Sequence, residues 1–344
     1  MTSSQKLGSF LSYLKNSLLH QRQTPVSHKR RSSAGSSDTK DTVASSSDVA
    51  PLATVGIRDP SSSLLNQPSH PRLPAGHASA TVPLVEKDTD VLLGYPAASI
   101  VNYWKRKEKN GRTKEARAHS EEAGHVQYWR YMVDWLTEVG EELRLQPVTI
   151  HSAIALTDKL MKSTGYHKSQ WKLQAVCCLS VAAKYEEAER NMPMVSELGH
   201  AAEIHLTTEM VTMGELDLAK RMGWEVHQVT SMHFLDFYLH EGVTFSDDSC
   251  QGRCAVGEKM TRYVKKYVEF FASLCQQEYS FQRELPSVIA AASIMSSRRA
   301  LCISPLWPPQ LVELTGLEEA QVQPCGQGIW ELYERMFPDF SATR

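Results

Sequence analysis

Few residues in this chain have types and spacing that could do chemistry, and those few point to binding rather than bond-breaking. The 13 His show no metal-ligand spacing of the H-E-x-x-H kind. Cys250 and Cys254 lie close together, but no second Cys pair or His pair follows at zinc spacing. No glycine-rich phosphate loop and no nucleophile elbow occur. These patterns argue against an enzyme, a metal centre and a bound cofactor. What stands out is charge at the end of an apolar run. Residues 173–183 (LQAVCCLSVAA) hold nine apolar residues in eleven and lead into Lys184-Tyr185-Glu186-Glu187. Lys184 suits the negative end of a helix dipole, whereas Glu186 and Glu187 oppose it by roughly a few tenths of a kcal/mol each. Either that turn is simply solvated, or it meets a partner carrying basic groups or backbone amides.

Helices must position these charges. No Val/Ile/Thr alternation of strand type persists from residue 92 onward, and helical runs recur with short polar breaks. The spacing predicts a short helix near Ala97–Lys109. Five longer ones follow at about 126–140, 148–163, 169–186, 193–203 and 208–222. A second series is expected at about 230–241, 252–275, 286–300, 307–315 and 318–336. Pro147 fits a first helical turn, and Thr207 fits an N-cap. Two sets of five helices about 110 residues apart read as an internal duplication. Residues 288–295 (VIAAASIM), with seven apolar residues in eight, match the run at 173–183. A helix apolar on every side must be surrounded, so each set reads as four helices around a central one. Pro324 falls inside the last helix, followed by Gly326 and Gly328, so a break or kink is expected near 322–328.

Composition divides the 344 residues. All seven Trp lie at or after Trp104, all seven Cys at or after Cys177, and residues 1–80 contain 18 Ser. Such a front segment buries too little apolar area to offset chain entropy, so disorder is expected over 1–91. Within it, Thr24-Pro25 and Ser33 after Arg30-Arg31 fit kinase phosphorylation patterns. Lys29-Arg30-Arg31 fits a nuclear import element. Leu7, Phe10, Leu11, Leu14 and Leu18 fit an amphipathic helix that could dock or act as a presequence. The odd Cys count, with Cys177 and Cys178 inside an apolar helix, reads as free thiols in a reducing compartment. Nucleus, cytoplasm or both are the expected locations. No apolar run is long enough to span a membrane, and no secretory signal is apparent. With 37 basic and 39 acidic residues, a broad nucleic-acid footprint is not expected.

Several segments resemble the cyclin family. Tyr131-Met132-Val133-Asp134-Trp135-Leu136 with Glu138 resembles the opening of the cyclin box. Ala182-Ala183-Lys184-Tyr185-Glu186-Glu187 is similar to its central element, and Met213-Gly214-Glu215-Leu216 to its fifth helix, with Trp224 at the following aromatic. Ser99–Trp104 resembles the helix preceding the box. Ser304-Pro305-Leu306-Trp307-Pro308 and Leu314-Thr315-Gly316 look most like J-type cyclins. The resemblance spans about 92–338 and implies an all-α fold: tandem five-helix cyclin boxes at 92–226 and 227–338, with a preceding helix, a disordered front tail and a short tail at 339–344.

The resemblance implies a non-catalytic regulatory subunit that binds and activates a cyclin-dependent protein kinase in cell-cycle control. Lys184 and Glu215 would hydrogen-bond the loop before the kinase's mobile helix, since Lys offers only donors and Glu only acceptors. Tyr185, Glu187, Ala219 and Trp224 would line the same surface. An internal salt bridge is the other reading of Lys184 and Glu215. A groove for substrate or inhibitor peptides would use Tyr128, Tyr131, Met132, Trp135 and Glu138. Lys172 would repel the Arg of the usual Arg-x-Leu peptide, and Met132 and Trp135 also fit plain core. Asp158 would hold the bundle together through an Arg of the first helix. That position is here Trp129, with Arg130 one residue later. Leu173 would pack in the core. The fold also serves transcription adaptors that bind peptides or nucleic acid. Arg262, Lys265 and Lys266 share their helix with Glu258 and Glu269, which reads as a solvated mixed face, so nucleic acid is not the expected partner.

Overall fold

Helical periodicity carries through almost the whole described chain. The structure, a computed structural model, describes residues 91–92, 95–115, 124–164, 167–250, 253–254 and 257–338. The expectations for the segment 5–19, for Thr24, for Ser33 and for Lys29–Arg31 lie outside the described residues. Among the described residues there are eleven α-helices. The first, α1 (Ala97–Glu115), is six residues longer than its apolar spacing indicated. The first repeat holds α2 (Trp129–Glu142), α3 (Pro147–Thr164), α4 (Trp171–Glu186), α5 (Val195–Ala201) and α6 (Thr208–Arg221). The second holds α7 (Ser231–Glu241), α8 (Glu258–Gln276), α9 (Pro286–Ala300), α10 (Pro309–Thr315) and α11 (Glu319–Met336). Strands among the described residues are two residues long; β1 (Val91–Leu92) pairs antiparallel with β2 (Tyr95–Pro96), and β3 (Ser249–Cys250) with β4 (Arg253–Cys254) and β5 (Ile303–Ser304). No helix of the described residues is long and apolar enough to cross a membrane.

Each repeat wraps a central helix, α4 or α9, because those helices are apolar all round and must be enclosed. The core of the first repeat gathers Trp129, Leu136, Ile154, Trp171, Val176 and Leu179. That of the second gathers Phe234, Phe271, Ile289, Ile294, Leu311, Ile329 and Trp330. Small side chains permit close approach. A Cβ on Gly214 of α6 would overlap the Cys177 sulfur of α4. Cys177 and Cys178 are free and buried, and burial pushes both thiols up to about 12.

The preceding helix α1 packs on the second repeat. Val101 belongs to the second core, and Trp104 packs edge-on against Phe234 at 5.7 Å and His233 at 5.5 Å. Two charges of α1 meet helix ends with the complementary sign. Glu108 accepts from the Ser287 N–H (2.9 Å) and hydroxyl (2.7 Å) at the start of α9, and Lys105 donates to the Thr315 carbonyl at the end of α10 (2.7 Å). Burial raises the Glu108 carboxyl, and the Ser287 hydrogen bonds oppose that shift.

Three expectations need correction. First, α11 runs unbroken through Pro324. Pro324 and Ala320 both face solvent, so the Ala320 carbonyl that loses its helix partner is reached by water, while Val322, Cys325 and Ile329 hold the inner face against the core. Second, Arg130 is exposed and does not pair with Asp158. His125 Nε2–H donates to Asp158 Oδ1 (2.9 Å), Lys162 pairs with Oδ2 (2.6 Å), and the Tyr279 hydroxyl reaches across from the second repeat (3.1 Å). Burial alone would raise the Asp158 carboxyl; these bonds outweigh it and hold the group below its ordinary range. Trp129, at the expected Arg position, is buried and donates its indole N–H to the Gln276 carbonyl at 2.8 Å. Third, Leu173 is only half-buried, and Trp171, Ala175, Val176 and Leu179 take the core positions of α4.

Candidate functional site

The end of α4 and the adjoining edge of α6 form the charged surface that the sequence singled out. Lys184 Nζ lies 2.6 Å from Glu215 Oε1 and 2.7 Å from Oε2. The Ser180 hydroxyl donates to the same carboxylate at 2.6 Å. The Lys184 side chain is 55% exposed and that of Glu215 17%, so the pair lies at the surface with its carboxylate anchored from below. Such a pair still offers a cation and a carboxylate side by side to an incoming backbone segment.

Apolar side chains surround it. Tyr185 is 56% exposed, and its ring stacks on His227 at 4.6 Å with an interplanar angle of 17°. On α6, Met210, Met213 and Leu216 follow at steps of three and remain exposed. Trp224, just past α6, is 70% exposed. Its backbone is left-handed, with φ +65°, directly after Gly223 at φ +59°. A bulky residue in that region costs about 1–3 kcal/mol, and such strain gathers at functional surfaces. Ala219 is 9% exposed, next to the core residue Leu218, and adds little area to this surface.

Glu187 meets a partner within the chain. Its Oε1 accepts from the Gln146 N–H (2.6 Å) and from the Thr149 hydroxyl (2.7 Å), at the start of α3. The carboxylate that opposes the dipole of α4 thus satisfies the positive end of α3. Glu186 turns the other way. It accepts from the Ser152 hydroxyl (3.0 Å) and from His233 Nε2–H (3.2 Å), tying the first repeat to the second. Burial pushes Glu186 up, but those bonds and the nearby imidazoles bring it below the usual carboxylate range.

Glu186, His227 and His233 form a cluster that spacing in the sequence did not reveal, because Glu186 lies 47 residues from His233. Their ligand atoms lie within 4.8 Å of one another, the geometry of a possible cation site. The hydrogen bonds argue otherwise. His233 Nδ1 accepts from the Thr230 N–H at 3.1 Å, and His227 Nδ1 faces the Lys107 ammonium at 3.1 Å. A metal-bound imidazole needs an acceptor opposite its free N–H, and here both rings face donors. The cluster is a hydrogen-bonded hub. Burial, Lys107 and His233 together lower His227 to about 4, so its ring is neutral near pH 7.

The proposed peptide groove divides. Tyr128 (38%) and Tyr131 (56%) are exposed, but Met132 is 1% exposed and packs in the core, which corrects its assignment to the groove. Trp135 is half-buried edge-on against Trp171 at 4.9 Å, and Tyr131 meets the same ring at 5.6 Å. Lys172 lies over the Trp135 ring at 5.0 Å. Its cation therefore sits on the aromatic surface where an Arg-bearing peptide would enter. Glu138 is half-buried beside Asp134, whose carboxyl is raised by burial and by Glu138. On α8, Lys265 lies 3.9 Å from Glu269 and Arg262 bonds its own helix backbone, an ordinary mixed face.

This fold and surface define a class: two stacked five-helix repeats with one charged, apolar-ringed face. Comparison with known proteins identifies it. The model of the cyclin N-terminal domain matches residues 99–227 and that of the cyclin C-terminal domain 229–342. The chain belongs to the cyclin family. It is 30% identical over 215 residues to a protein described as Cyclin-D from Ostreococcus tauri, covering 62% of this chain and 57% of that one. A Cyclin-J-like protein of Mus musculus is 28% identical over 222 residues, covering 62% and 57%. Cyclin-J of Xenopus laevis is 30% identical over 203 residues, covering 57% and 52%. The J-type likeness of the second repeat agrees with these relatives. The matches span little more than half the length of those relatives.

Proposed function

We propose that this cyclin binds a cyclin-dependent protein kinase through the end of α4 and the edge of α6, and thereby activates it in cell-cycle control. The observation that carries the reading is the surface pair Lys184–Glu215, 2.6 Å apart and half open to solvent. A cation and a carboxylate held together can satisfy a carbonyl and an amide of the same approaching segment. Tyr185 and the strained, exposed Trp224 supply aromatic area of the kind that dominates interface energetics. The chain contributes no catalytic group. Its effect on the kinase is to favour the arrangement of the mobile helix in which the kinase's own Lys–Glu ion pair forms. Nucleus and cytoplasm both remain open to such a regulator.

The test is kinase capture by Lys184→Met combined with Glu215→Gln. Loss of both charges is expected to weaken binding at least about tenfold, as for a hot-spot pair. Thermal stability should fall by less than about 1 kcal/mol, as for an exposed ion pair. Undiminished capture by the double variant overturns the interface.

A further inference from the structure

We infer that Lys107 and His227 are positioning residues for Tyr185, holding its ring in the orientation that the kinase meets. This rests on the kinase-binding reading above and adds to it a route by which α1, docked on the second repeat, reaches the binding face of the first.

Tyr185 is the next-to-last residue of α4, where χ1 near +60° would drive the ring into the preceding turn, so two staggered wells remain to choose between. Here the His227 ring makes that choice, lying under Tyr185 at 4.6 Å and nearly parallel at 17°. The His227 ring is held in turn from two sides. Lys107 Nζ donates to its Nδ1 at 3.1 Å, and His233 abuts it edge-on at 5.3 Å and 76°. His233 cannot rotate without losing the Thr230 N–H on one side and Glu186 on the other. The order is therefore Lys107 to His227 to Tyr185. Its first member belongs to α1 and its last to the kinase-facing turn. Lys107 is half-buried, with its ammonium also 5.9 Å from the Tyr103 ring, so it is not a freely solvated lysine. The neutral state of His227 is what lets Nδ1 accept from a cation.

A ring that samples two wells presents the competent one about half of the time, so losing the stack should weaken binding about twofold. The experiment measures affinity of the full chain for a purified cyclin-dependent kinase. The variants are Lys107→Met, His227→Ala, His227→Phe, Tyr185→Ala and the His227→Ala/Tyr185→Ala double. Melting temperatures are recorded alongside. His227→Ala is expected to bind about twofold more weakly, and to add less than about 1.3-fold once Tyr185 is Ala, since it acts through that ring. His227→Phe keeps a flat partner for Tyr185 and should recover most of the loss. Lys107→Met should weaken binding in the same direction by a smaller factor. Additive losses for His227 and Tyr185, or no recovery with Phe, overturn the positioning role. If His227→Ala proves poorly folded, His227→Phe and Lys107→Met decide: wild-type affinity in Lys107→Met refutes the relay. The kinase reading fails separately, when the Lys184/Glu215 double variant binds as well as the parent.

Discussion

The two repeats share one architecture and differ in how their central helices end. In the second, α9 ends in Arg298, which is fully buried and donates to Asp248 (Nη1 to Oδ2, 3.0 Å), to the Val243 carbonyl (2.9 Å) and to the Pro305 carbonyl (2.7 Å). In the first, α4 ends in Lys184 and Tyr185, both more than half exposed. Twelve of the fifteen residues of α9 are buried against nine of sixteen in α4, so the second central helix is the more completely enclosed. The surfaces follow suit. Among the described residues, every exposed large apolar side chain lies between Tyr103 and Trp224. A duplicated fold has thus been divided in labour. The second repeat pairs the cation of its central helix with a buried carboxylate and supports α1, while the first leaves charge and apolar area at its surface.

The largest expected effect tests the closed end. Arg298→Met would leave Asp248, also fully buried, as an uncompensated charge. A loss of about 3–5 kcal/mol is expected in denaturant unfolding. The paired change Arg298→Met/Asp248→Leu should recover much of it, because the penalty belongs to the orphaned charge. A loss no greater than that of Lys184→Met would erase the contrast between a structural and a surface ion pair.

A smaller effect tests the seam between the repeats. His151 is fully buried on α3, and its Nδ1 accepts from Gln276 Nε2–H at 3.1 Å. Burial, then the neighbouring His233, lowers it to about 4 from an ordinary 6.5. Between those values the unfolded chain binds the extra proton and the native chain does not, so stability rises with pH. The contribution is complete above about pH 6.5 and is lost as pH falls towards 4. It amounts to about 3 kcal/mol for one such group. His151→Gln should reduce the slope across that window by about half, since His227 is lowered to about 4 as well and supplies the rest. An unchanged slope would show that the seam does not exclude protons.

The smallest effect compares the same packing point in each repeat. Gly214 of α6 and Gly326 of α11 both press on their central helices. A Cβ at Gly214 meets the Cys177 sulfur, on a short side chain with nowhere to move, whereas one at Gly326 lies 3.1 Å from Met295 Sδ, on a flexible one. Gly214→Ala should cost about 1–3 kcal/mol and Gly326→Ala under about 1 kcal/mol in thermal unfolding. Equal costs would mean that the two repeats pack their fifth helices with equal tolerance.

How much of this could be read beforehand depends on the range of the interaction. The central helices were legible because residues 173–183 and 288–295 are apolar on every side, a local property. For Lys184 and Glu215 the structure shows the internal salt bridge that was the other reading of the pair. The dipole conflict at Glu187 was legible, but its resolution was not, since the α3 terminus lies 41 residues upstream. Asp158 was correctly marked as needing a partner. The family resemblance implied an Arg, with Arg130 one residue off its place, and the bundle brings His125 and Lys162 instead. Pro324 misled because sequence shows the missing N–H and not which side of the helix faces water. The hub of Glu186, His227 and His233 left no local signal at all, because its members come from three separate stretches.

One feature of α1 bears on how the molecule can be taken apart. By sequence α1 precedes the first repeat, yet Val101 and Trp104 lie against the second core, and Glu108 and Lys105 hold the ends of α9 and α10. A cut at the boundary between the repeats would therefore part α1 from the repeat on which it packs. The front fragment would carry an apolar strap with nothing beneath it, and the rear fragment would lose its cover. The line of duplication in the sequence is thus not a line along which the packing divides.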